Sequence, residues 1–146
     1  MRVDFYQLQR DPAETVLALI ARNTLNAGER LLVVSSDDTQ LERIARELWS
    51  RNPESFLANG RAGGEDDARQ PILLSDETSA ANGARFCALA DGVWREGAQP
   101  FARSFLLFGE DTLQAARDCW RMLGKREGLE RHFWKQDEGG RWREAG

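Results

Sequence analysis

Arg30-Leu-Leu-Val-Val-Ser35 places four branched apolar residues in a row between polar ends. Successive side chains of a strand point to opposite faces, so such a run buries both faces, as a strand inside a parallel sheet must. The flanking sequence fits this reading. Val3-Asp-Phe-Tyr-Gln-Leu8 alternates as a first strand. Asp11-Pro12 offers an N-cap followed by proline at the first helical position, and Val16, Leu17, Leu19, Ile20 and Leu25 mark one helical face that Ala27-Gly28 ends. Beyond the apolar run, Asp37 or Asp38 caps a second helix with Leu41, Ile44, Ala45 and Leu48 facing inward. Strand, helix, strand, helix predicts an α/β fold: a mostly parallel sheet with right-handed crossovers, flanked by helices.

The remainder extends the pattern. Pro53 opens an irregular stretch lasting to Pro71, in which Asn59-Gly-Arg-Ala-Gly-Gly64 and Glu65-Asp-Asp67 read as a mobile surface loop. Ile72-Leu-Leu74, Ala84-Arg-Phe-Cys-Ala-Leu89 and the stretch from Phe101 to Phe108 read as further strands, with a turn at Asp91-Gly92. A long helix is expected from Glu110 to Glu127, ended by Gly128. The tail from His132 to Arg143 reads as strand, Asp-Glu-Gly-Gly turn and partner strand, with His132 on an edge strand. There are no repeats and no linker, so residues 1–146 are expected to form a single domain.

Composition narrows the function. Hydrophobic residues make up 41% and charged residues 30%, as in a globular protein. No apolar run approaches the roughly 20 residues that span a bilayer, and the N-terminus lacks a continuous apolar leader segment, so a cytoplasmic protein without membrane contact is expected. Cys87 and Cys119 read as buried small hydrophobes. With the lone His132 they are too few for a zinc site, and neither metal nor cofactor is expected. The net charge of −4 argues against strong direct DNA binding. The charge is uneven, however: residues 117 to 135 hold six Arg or Lys and three Asp or Glu.

Motifs for catalysis are missing. No Gly-x-Gly-x-x-Gly follows the first strand, no Gly-Lys-Ser/Thr loop exists, and there is no Gly-x-Ser-x-Gly elbow. The rival function, a nucleotide-binding or hydrolytic α/β enzyme, would have to use the 58–70 loop. Two interaction features stand out instead. Trp49 is followed by Pro53, Phe56 and Leu57 at a helix exit, a group that either staples helix to sheet or forms an exposed aromatic anchor patch. In the last helix, Leu113, Ala116, Cys119, Trp120 and Leu123 share the buried arc, while Arg117, Arg121 and Lys125 recur every four residues as a basic stripe. Trp120 lies at the boundary, so the stripe is either the solvated basic edge of a long helix or the rim of an apolar notch that suits an acidic peptide with an aromatic end.

These pieces, in this order, resemble the chi subunit of bacterial DNA polymerase III holoenzyme, an accessory subunit of the clamp-loader assembly. The resemblance rests on Val3 to Leu8, Leu48-Trp49 with Pro53 to Leu57, Gly60 to Gly64, Gln70 to Leu74, and Ala116-Arg117 with Trp120-Arg121. It implies a Rossmann-like domain without nucleotide chemistry and without catalytic residues. It implies two partners, the psi subunit and the acidic, phenylalanine-ended C-terminal tail of single-stranded DNA-binding protein. It assigns Arg117, Trp120, Arg121, Lys125 and Arg126 to the tail, and Trp49, Pro53, Phe56 and Leu57 to psi, on a surface shared with an alternative helicase partner.

Overall fold

Leu31–Val34 forms a strand in which all four residues are buried, hydrogen-bonded to a parallel neighbour on each side. Residues 1–50 and 57–145 are described by this computed structural model. In chain order the strands are β1 (Arg2–Gln7), β2 (Leu31–Val34), β3 (Asn59–Arg61), β4 (Ile72–Ser75), β5 (Phe86–Leu89), β6 (Arg103–Phe108), β7 (Glu130–Gln136) and β8 (Trp142–Glu144). They form one sheet in the order β3-β4-β2-β5-β6-β1-β7-β8, parallel throughout except for the β7–β8 hairpin.

Among the described residues three helices cover the sheet: α1 (Ala13–Asn26), α2 (Asp38–Ser50) and α3 (Leu113–Leu123). The period of two along each strand sorts the core into two layers. Leu31, Val33, Ile72, Leu74, Phe105 and Leu107 face α1 and α2. Val3, Phe5, Leu32, Leu73, Cys87, Leu106 and Phe108 face α3 through Ala116, Cys119 and Leu123. The expected α/β architecture is therefore the observed one. No helix among the described residues is long and apolar enough to cross a membrane.

Local departures have physical causes. Asp11 does not cap α1: the N-cap is Pro12, with no side-chain cap bond. The Asp11 carboxylate instead accepts from Gln136 Nε2 at 2.7 Å, and its backbone N–H donates to Gln136 Oε1 at 3.2 Å, tying the start of α1 to the end of β7. Leu19 is 38% exposed on the outer side of α1. Asn59–Arg61, expected in a loop, is a short edge strand paired with β4. His132 lies on β7, which β1 and β8 flank, so it is one strand in from the edge. The last helix begins as a 3₁₀ turn at Glu110–Thr112 and ends at Leu123, four residues short of Glu127.

The start of α2 follows expectation. Asp37 Oδ1 accepts from the N–H groups of Thr39 at 3.0 Å and Gln40 at 3.2 Å. Asp37→Ala removes the acceptor for these helix-end donors and is expected to cost about 1 kcal/mol. In urea unfolding this reads as a lower midpoint with an unchanged slope.

Candidate functional site

The site follows from how α3 meets β1 and β7. In the parallel register Phe5 lies opposite Phe133 and Gln7 opposite Lys135, so these four side chains share the α3 side of the sheet. Trp120, half-buried, leans onto them from α3. Its ring centroid is 5.3 Å from Phe5 and 5.6 Å from Phe133, both edge-to-face, while Phe5 and Phe133 stack at 6.2 Å. A cavity of about 280 Å³ opens beside the indole, lined by Gln7, Arg117, Trp120, Arg121, Phe133, Lys135 and Ala145. The N–H of Ala145 donates to the Phe133 carbonyl at 2.7 Å, so the end of the chain closes one wall.

The floor is apolar and aromatic, and the rim is cationic. Arg117, Arg121 and Lys135 are all exposed. Arg121 donates to Asp118, which also accepts from Gln114 at 3.0 Å. Arg117 and Lys135 make no ion pair among the described residues. The rim thus carries three positive charges against one nearby carboxylate, a setting that favours an anionic group with an apolar end.

Of the residues the sequence points to, Arg117, Trp120 and Arg121 meet here. Lys125 and Arg126 do not. The helix stops before them, so the spacing of four that would have aligned Lys125 no longer applies. Arg126 turns to the β5–β6 connection, where it donates to Glu96 at 2.8 and 2.9 Å and to Gln99. That pairing holds the Glu96 carboxyl below its usual range. Sequence reasoning missed Gln7, Phe133, Lys135, Ala145 and also Arg131, whose Cζ sits 4.0 Å over the Trp120 ring. The alternation Arg131, Phe133, Lys135 along one strand face was the available signal.

On the other flank, Trp49 at the end of α2 is 52% exposed. Leu57 is only 4% exposed and belongs to the core beneath α1 and α2, so it supports that surface from below and does not form it. Pro53 and Phe56 lie outside the described residues.

The rest of the molecule offers little to nucleotide chemistry. The N–H groups of Gly63 and Gly64 already donate to the Asp67 carboxylate, at 2.8 and 3.0 Å. Open α/β sheets hold phosphates beyond the carboxyl ends of their strands. The crevice in that position includes Gln40, Asp91, Glu110, Asp111 and Thr112, and its three carboxylates repel a phosphate. Asp91 is held ionised: burial opposes this, but bonds from Arg95, Ser36 and Val93 prevail. Burial pushes the thiols of Cys87 and Cys119 up to about 12, far from a reactive thiolate. His132 lies between Glu130 and Glu144.

The family described as DNA polymerase III chi subunit, HolC, matches residues 1–132. No curated protein matches the chain. Phe133, Lys135 and Ala145, one side of the cavity, lie beyond the matched segment.

Proposed function

This chain belongs to the DNA polymerase III chi subunit family, accessory components of DNA replication within the polymerase III complex, and we propose that it serves there as an adaptor with no catalysis of its own. One partner is the acidic C-terminal tail of single-stranded DNA-binding protein. The other is the psi subunit of the clamp loader, met at the Trp49 flank, where an alternative helicase partner would compete with psi.

The observation that carries this reading is the cavity beside Trp120, with its aromatic floor and the cations Arg117, Arg121 and Lys135 on its rim. A terminal phenylalanine ring packs against Trp120 and Phe133, where aromatic pairs gain beyond their buried area. The tail's carboxylates meet the rim. Rim charges are exposed and screened, so one tail binds at roughly micromolar affinity and more weakly as salt rises. Several tails on one coating tetramer raise the effective concentration, so weak single contacts suffice for tethering. Among the described residues, the rival enzyme reading draws on the 58–70 loop and a carboxylate-lined crevice.

Calorimetric titration of the full chain with a tail peptide tests the proposal. Binding near micromolar at low salt is expected. Arg121→Ala, or a peptide lacking its terminal phenylalanine, is expected to lose most of it. Unchanged affinity for both defeats the pocket assignment. Stabilisation of several degrees by ATP, GTP or a dinucleotide, with none from the peptide, would favour the enzyme.

A further inference from the structure

We infer that Arg131 is a positioning residue of the cavity: it fixes the Trp120 indole in place without itself lining the site. The inference rests on the peptide-binding reading above. The Arg131 Cζ lies over the indole, 4.0 Å from the ring centroid, and the guanidinium donates to the Trp120 backbone carbonyl. That carbonyl belongs to the last turn of α3, where it also accepts the Gly124 N–H at 3.1 Å and where a cation is favoured. One side chain therefore binds both the ring and the backbone of the same residue.

The guanidinium also occupies a fitted slot. A Cβ added at Gly124 would lie 2.5 Å from Arg131 Cζ and 2.7 and 2.8 Å from its two terminal nitrogens. Gly124 has ordinary right-handed helical dihedrals, so its lack of a side chain is needed for room and not for backbone freedom. Arg131 is absent from the cavity wall, whereas Phe133 and Lys135, next on the same strand face, are on it. Lysine cannot replace this arrangement, because a compact ammonium neither stacks flat nor keeps the fork of donors.

The test uses the full chain with two substitutions that leave net charge unchanged, Arg131→Lys and Gly124→Ala. The second displaces the guanidinium from its slot while leaving its charge nearby. Tail-peptide affinity is measured by calorimetry at two salt concentrations. The Trp120 indole N–H resonance, assigned by its loss in Trp120→Phe, is followed by NMR. Both variants are expected to bind about fivefold to tenfold more weakly, with the same salt dependence as the parent, and to shift the indole resonance. Parental affinity in both, with only Arg131→Ala weakened and its salt dependence reduced, overturns the inference and makes Arg131 a simple rim charge. An indole resonance unmoved in both also overturns it. Absence of any peptide binding by the parent chain defeats the functional reading instead, and the resonance alone then decides whether Arg131 places the ring. Should Gly124→Ala lose its cooperative melting, Arg131→Lys decides by the same two readouts.

Discussion

Phe5→Ala is expected to destabilise the fold by about 4 kcal/mol, the largest effect of any substitution considered. Phe5 is fully buried at the middle of β1, between β6 and β7. Its ring meets Phe108 at 6.5 Å, Trp120 at 5.3 Å and Phe133 at 6.2 Å. Alanine loses the transfer free energy of the ring and leaves a void, because three aromatic neighbours held by separate elements cannot all collapse into it. Small domains are stable by only about 5–15 kcal/mol, so this is a large share. Urea unfolding followed by circular dichroism measures it, and a loss below about 1 kcal/mol would show that the void closes. Phe5→Ala should also weaken tail-peptide binding at temperatures where the variant is still folded, since Trp120 and Phe133 both rest on this ring.

The second large effect lies one residue away on the opposite face of the sheet. Asp4 is fully buried, and its carboxylate accepts from Arg2 Nε and Nη2 at 3.0 Å each, Arg103 Nε at 2.8 Å and Trp134 Nε1 at 2.9 Å. Burial by itself raises its pKa, but the bonds from Arg2, Arg103 and Trp134 outweigh burial and hold the carboxyl below its ordinary value. Asp4→Ala orphans four N–H donors on three residues and is expected to cost about 3 kcal/mol, the lower end for a broken buried pair because both arginines reach water. The pH dependence has a definite sign. A carboxyl with a lower pKa in the folded state binds fewer protons there, so its contribution is complete above the ordinary carboxylate range. It is lost as pH falls through that range toward the folded value. Unfolding free energy of the parent chain should therefore drop in acid more steeply than that of Asp4→Ala. Parallel curves would contradict the assignment.

Local pattern carried most of the architecture. The apolar run at Leu31–Val34, the stripe of Val16, Leu17 and Ile20 on α1 and the Asp37 cap depend on neighbours in sequence, and each appears where its pattern places it, Leu19 alone of those named in the front half of α1 turning outward. The larger misreadings concern groups that distant residues control. Asp11 reads as a cap until Gln136, 125 residues away, is brought to it. Asn59-Gly-Arg61 has no apolar alternation, because a short edge strand with a partner on one side needs none. The end of α3 looked like Gly128, whose φ of +75° does mark a turn. The helix had already stopped at Leu123, where Arg131 reaches the Trp120 carbonyl.

The site divides the same way. Trp120, Arg117 and Arg121 fall on one helix, so a 100° periodicity groups them. Gln7 and Lys135 come together only because β1 pairs with β7, across nearly the whole chain. Such a pairing is a property of the topology and has no local signature.

Strand order also sets a span. α2, whose last turn carries Trp49, packs over β3 and β4, while the cavity lies over β1 and β7. From β4 to β7 is five steps across the sheet, roughly 24 Å at the usual inter-strand spacing. Ligands that far apart would share no side chain. On the proposed two-partner reading, a ternary assembly would then need no cooperativity, and each surface could exchange its occupant while the other stayed filled.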